Sequence, residues 1–209
     1  MKLYDYAASG NCYKARLLLA LTGREYERVP VDIFAGDTLT DAFGELNPLR
    51  ETPVLELDSG EVITQSNAVL WFLAEGTPFM PAGPVGRAQA VQWLSFEQER
   101  VMLGIGSARF RVLTGRDLEA VPARLENGRG ALAVLDPHLQ DRQFVLGPEI
   151  SLADVALFAY THVAPDAGLE LPANVHRWCN DIEFQSGFVD DFVPYPPNAS
   201  EQTGLSIYG

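Results

Sequence analysis

The residues of this chain best suited to chemistry sit together near its start, in Ser9-Gly10-Asn11-Cys12-Tyr13-Lys14. An apolar stretch, MKLYDYAA, runs into this segment and CYKARLLLALTG runs out of it, which reads as a turn from strand to helix. The first N–H groups of such a helix have no intrahelical acceptor, and its dipole favours negative charge, so an anion is stabilised there. Ser9-x-x-Cys12 has the spacing of a redox Cys-x-x-Cys with the first thiol replaced by a hydroxyl. That removes intramolecular disulfide chemistry and leaves a hydrogen-bond donor. Ser9 therefore has two readings: a helix cap, or a contact to a reacting anion. Asn11 offers a second donor or stabilises the turn, and Cys12 fits a small buried position in the helix turn better than the role of nucleophile. Tyr4 and Tyr6 could donate a phenolic proton, with ordinary strand packing as the alternative.

The elements that position these residues follow from pattern. Residues 2–7 form a strand, and Leu17, Leu18, Ala20 and Leu21 face one side of a helix that stops at Gly23. YERVPVDIF reads as a second strand, with Pro30 placing it at an edge or a bulge. A short helix over 38–46 is followed by Thr52-Pro53-Val54-Leu55, an Asp58-Ser59-Gly60 turn and Glu61-Val62-Ile63, an antiparallel hairpin. Gln65-Ser66 then open the helix AVLWFLAEG. The order β-α-β-α-β-β-α is that of an open mixed sheet with helices on both faces, here a thioredoxin-like α/β domain over 1–76. GTPFMPAGPVG makes a linker of 77–86, and 87–187 carries only helical periods, an all-α bundle. Val91, Leu94, Val101 and Ile105 are expected to line one face of its first helix, and Leu125, Leu132, Leu135 and Leu139 one face of its second. Ser151-x-x-Asp154 opens a later helix as a capping box with Asp in place of Glu. The tail, 188–209, is rich in Pro, Asn, Ser and Gly and carries no helical pattern.

Composition narrows the function classes. The formal charge is −13, with six basic against twelve acidic residues in 1–75 and nine against sixteen after it, so neither half offers a basic footprint. Nucleic acid and anionic membranes are poor partners for such a surface. With no secretory pattern at the start, no apolar run of membrane-spanning length and two cysteines far apart in sequence, a reduced cytoplasmic protein is the expectation. His138, His162 and His176 lack ligand spacing, so no metal is expected. Asn198-Ala199-Ser200 matches a glycosylation sequon, read as chance without a secretory signal.

A small α/β half with Ser at its first turn, Thr-Pro-Val-Leu before a hairpin, Gln-Ser opening the third helix, a Pro/Gly linker and an all-α half resembles the glutathione transferases, over about residues 1–187. Ser151-x-x-Asp154 after a Gly-Pro break is similar to the buried capping box this family uses in folding its helical domain. The SGNCYK turn resembles the serine-type classes and bacterial relatives with Asn two residues on. The resemblance implies that glutathione is the cosubstrate, with its γ-glutamyl carboxylate at Gln65 and Ser66 and its cysteinyl backbone clamped by Thr52 before a cis Pro53. Glu51 falls where relatives often place Lys or Gln to meet the glycyl end, and its charge is the wrong sign for a carboxylate. Ser9 would donate to the sulfur rather than remove its proton. Lowering a thiol pKa from about 8.5 to about 6.5 is worth roughly 2.7 kcal/mol and raises the ionised fraction at pH 7 from about 3% to about three quarters. An electrophile pocket, by the same resemblance, would draw on Met102, Arg109, Phe110, Phe192, Tyr195 and Tyr208, which are otherwise ordinary core residues.

The resemblance implies a homodimer that conjugates glutathione to an electrophilic small molecule. Two alternatives remain on the same scaffold: a glutathione-dependent disulfide or peroxide reductase, and a non-catalytic binding or scaffold protein.

Overall fold

The computed structural model describes residues 1–196 and residue 199. Four strands, β1 (Lys2–Asp5), β2 (Glu27–Pro30), β3 (Val54–Glu56) and β4 (Val62–Thr64), form one sheet in the order β2-β1-β3-β4. β1 and β2 are parallel, so a crossover must join them, and α1 (Gly10–Leu21) supplies it. β3 runs antiparallel to both β1 and β4, and the Leu57–Glu61 turn closes with Gly60 at φ 95°. β2 is shorter than the YERVPVDIF pattern suggests and lies at the edge, where Pro30 pairs with Asp5. An edge tolerates a residue without an N–H. This is a thioredoxin-like domain. Leu3 and Leu55 of the sheet pack with Leu17 and Leu18 of α1 and with Leu70 and Leu73 of α3 (Ser66–Ala74), all fully buried. The other short helix, α2 (Asp41–Leu46), starts at Thr40, whose hydroxyl accepts from Phe43 N–H at 3.3 Å.

The second half is helical: α4 (Gly83–Phe96), a π-helical segment (Glu97–Gly106), α5 (Ser107–Thr114), α6 (Val121–Leu139), α7 (Leu152–Thr161) and α8 (Ala173–Glu183). α4 begins within the stretch 77–86 read as linker, with a proline in its first turn, where the missing N–H needs no partner. Its inward face is Ala90, Trp93, Leu94 and then Glu97, Val101 and Ile105. Val91, expected on that face, is 49% exposed, because it falls one residue off the stripe. All ten residues of α7 are buried, so this helix is the axis of the domain. Its capping box forms: Asp154 Oδ2 accepts from Ser151 N–H and from Ser151 Oγ at 2.9 and 2.7 Å. Asp154 Oδ1 also accepts from Val145 N–H at 2.8 Å and Trp178 Nε1 at 3.0 Å, which ties α7 to α8 and to the loop before it. Burial nonetheless pushes its carboxyl pKa upward.

Residues 188–196 are irregular, as their composition suggests, and fold back over the first half. Tyr13 Oη donates to Val189 O at 2.7 Å, and Arg16 Nε donates to Asp191 Oδ1 at 2.9 Å. Asp5, which is buried, accepts from both Arg16 and Arg28, so β1, α1, β2 and this segment share one ionic cluster. Tyr208 and the Asn198 and Ser200 of the sequon lie outside the described residues. Among the described residues, no helix is long and apolar enough to cross a membrane, and no three His, Cys, Asp or Glu gather in a way that could hold a metal ion.

Candidate active site

Three chain segments meet beside the start of α1. Ser9 is its N-cap, and the Ser9 hydroxyl oxygen accepts from Cys12 N–H at 3.3 Å. Acceptance uses a lone pair and leaves the hydroxyl proton free to donate, so capping and anion contact are compatible. Beneath it, Cys12 is fully buried and takes Tyr6 N–H at 3.4 Å. Burial raises its thiol to about 11, against smaller opposing hydrogen bonds from Thr52, Tyr6 and Ser9. A thiol so placed stays protonated near neutrality.

Thr52 enters through a loop held in shape by Asn47, whose Nδ2 donates to Glu51 O at 2.8 Å and whose Oδ1 accepts from Leu49 N–H at 3.1 Å. The Thr52–Pro53 bond is cis. The third segment is the start of α3. Gln65 stands before it at φ 69° and makes no side-chain cap, so the first N–H groups of α3 face outward without a protein acceptor from that side chain. Such an end attracts a carboxylate. The Gln65 amide instead donates to Glu51 Oε2 at 3.3 Å, which brings those two exposed side chains together.

Behind Ser66 lies a charge network that hydrophobic patterning did not reveal. Lys14 and Glu97, one from α1 and one from the π-helical segment, are both fully buried with Nζ to Oε2 at 2.7 Å. Lys14 Nζ also donates to Asn11 Oδ1 at 3.0 Å, Ser66 Oγ at 3.3 Å and Asn67 Oδ1 at 3.3 Å. Glu97 Oε2 accepts further from Asn67 Nδ2 at 3.2 Å and Gln98 Nε2 at 3.0 Å, while Glu97 Oε1 has no partner among the described residues. Burial lowers the Lys14 pKa and Glu97 pulls it back. An ammonium only donates, so it fixes which end of Asn11 faces it: Oδ1 is turned to Lys14 and also accepts from Ser66 Oγ at 3.2 Å, leaving Nδ2 for the opposite side. A lysine inside an apolar run, CYKARLLLAL, was the one signal of this network in the sequence.

The residues expected at an electrophile pocket divide. Phe110 and Tyr195 meet in one aromatic cluster with Tyr6 and Phe34, their ring centroids 5.4 Å apart, beside Cys12 and Ala199. Arg109 is 3% exposed, paired with Asp166 at 2.7 Å, and lies 4.6 and 5.2 Å from the rings of Phe192 and Tyr195. Met102 packs instead against the main core. Tyr6 Oη is buried without a partner among the described residues.

Known proteins resemble this chain over most of its length. The family described as "Glutathione S-transferase, N-terminal domain" matches residues 8–75. The chain is 42% identical to a maleylacetoacetate isomerase of Rhizobium meliloti, over 92% of this chain and 97% of that protein. A solved glutathione S-transferase from Pseudomonas fluorescens superposes with a TM-score of 0.88 at 38% identity, covering 92% of this chain and 98% of that one. An elongation factor 1-gamma of Artemia salina is 29% identical over 85% of this chain, which spans only 43% of that larger protein.

Proposed function

Because the chain belongs to the glutathione S-transferase family, we propose that it holds the thiolate of glutathione against Ser9 and adds its sulfur to an electrophilic small molecule. The observation that carries this reading is the meeting of two helix starts across Asn11, which touches both Lys14 and Ser66: α1, capped by the Ser9 hydroxyl whose proton is free to donate, and α3, which has no side-chain cap and begins at Ser66. The sulfur belongs at the first and the γ-glutamyl carboxylate at the second, with the peptide backbone passing Thr52. Ser9 Oγ–H and Asn11 Nδ2 are the donors for the anion, and an ion held by such donors ionises at lower pH. Glu51, bonded to Gln65, orients that amide. The aromatic cluster of Phe34, Phe110 and Tyr195 then supplies an apolar wall for the electrophile.

In a transfer, a sulfur–carbon bond forms while the leaving group departs with its electron pair. The 42% identity to a maleylacetoacetate isomerase favours a second reading on the same site. There the thiolate adds to a cis double bond conjugated to a carbonyl, the resulting single bond rotates, and elimination returns the trans alkene and the thiolate. Glutathione is consumed in the first reading and unchanged in the second. Reduction of a disulfide would differ from both, because it yields glutathione disulfide. The chain is proposed to work in the cytoplasm as a homodimer, the assembly its family commonly adopts, and exposed Val62, Phe72 and Val91 are apolar positions such an assembly would cover.

Calorimetry with glutathione, followed by assays with a chloronitroaromatic, with maleylacetoacetate and with a disulfide, tests these readings together. Binding plus thioether formation supports transfer. Binding plus isomerisation at constant glutathione supports the second reading. Absence of binding overturns both and favours a non-catalytic binding or scaffold protein.

A further inference from the structure

Two consecutive amides open α1, and each is taken by a hydroxyl: Cys12 N–H by Ser9, and Asn11 N–H by Tyr160 of α7 at 3.2 Å. Both hydroxyls are therefore fixed to the first turn of the helix, on successive amides. Tyr160 reaches this place because the backbone makes room for it. A Cβ on Gly10 would come within 2.4 Å of its ring and one on Gly106 within 2.6 Å, so the ring is held between α1 and the π-helical segment by two residues without side chains. Its hydroxyl accepts from Asn11, and among the described residues the phenolic proton has no acceptor. Tyr160 is 8% exposed, and its hydroxyl, already accepting, keeps a proton that a ligand acceptor could take.

We propose that Tyr160 is a further hydrogen-bond donor to the glutathione sulfur, beside Ser9 and Asn11 Nδ2, relaying the polarisation of the Asn11 backbone amide through its own O–H. This rests on the reading that the sulfur lies at the first turn. Accepting the amide makes the phenol a better donor, as chained hydrogen bonds polarise one another. The charged and titratable groups that face it are Lys14, whose Nζ is 5.8 Å from the ring centroid, with Glu97, Cys12 and Tyr195. Burial holds its own pKa well above the ordinary phenol value, so it keeps its proton throughout the range in which the thiol titrates.

The test is Tyr160→Phe, which keeps the ring against Gly10 and Gly106, read by ultraviolet titration of the thiolate of bound glutathione. The bound thiol pKa is expected to rise by about one unit, a tenfold loss of thiolate below that pKa. Turnover should fall with it at low pH and recover as pH rises, while affinity for S-methylglutathione, which has no ionisable sulfur, stays within about twofold. Replacing Tyr160 with 3-fluorotyrosine, a stronger donor of nearly the same shape, should move the thiol pKa down. A helix-capping role alone would change neither titration, and an unchanged thiol pKa in both variants overturns the proposal. If the parent protein binds no glutathione, the underlying reading fails first and this proposal falls with it.

Discussion

Replacing Glu97 with Gln strips the countercharge from a buried lysine and leaves the shape nearly intact. Lys14 would keep Asn11, Ser66 and Asn67 as neutral acceptors, but no opposite charge. Removing one partner of a buried pair costs about 3–5 kcal/mol. A separate limit comes from the escape route: a lysine of ordinary pKa about 10.4 that sheds its proton at pH 7 costs about 5 kcal/mol, at 1.36 per unit. The two figures agree. For a chain of this length the loss corresponds to a melting point lower by about 6–20 °C. The sign with pH also follows. In the variant the folded-state pKa of Lys14 is depressed below its unfolded value, so stability is recovered as pH rises toward about 10 and is lost as pH falls. Lys14→Met with Glu97→Gln removes the orphaned charge, and the pair should recover more than half of the single loss. Urea unfolding of the parent, both singles and the double at one protein concentration gives the coupling directly. A Glu97→Gln variant within about 1 kcal/mol of the parent, or a double whose loss equals the sum of the singles, would refute the reasoning.

Asp154→Ala removes four hydrogen bonds and leaves Trp178 Nε1 and Val145 N–H without their acceptor, so a loss of at least about 3 kcal/mol is expected in the same unfolding assay. His162 is stacked on Phe158 at 4.4 Å, and burial lowers its pKa to about 4. Its neutral form is the one that fits, so the stability it contributes is present above about pH 6.5 and is lost on descending toward pH 4, up to about 3 kcal/mol. His162→Gln should flatten that part of the stability profile. Ser9→Ala should raise the pKa of the bound thiol while glutathione still binds, because the α3 subsite is untouched.

The order of strands and helices was legible because each element carries a local signal. The Ser9 turn sits between an apolar strand and an apolar helix, Pro30 marks an edge, and Asp58-Ser59-Gly60 marks a hairpin. Ser9, Thr52 and Ser66, named from the sequence, lie at such turns, whereas Met102, Arg109 and Phe110 lie within helices. What escaped is non-local. Lys14 and Glu97 are 83 residues apart, and Glu97 occupies an inward helix position that a search for apolar residues passes over, which is also why Val91 was placed on the wrong side. Tyr160 lies in a helix buried on every face, where periodicity carries no information about direction. Its role depends on two glycines from other elements.

The most direct test is a crystal structure with glutathione bound. The account predicts the sulfur within hydrogen-bond distance of Ser9 Oγ and the γ-glutamyl carboxylate on Ser66 and the first amides of α3. A tripeptide bound elsewhere, or a sulfur held away from the start of α1 by the aromatic cluster, would contradict it.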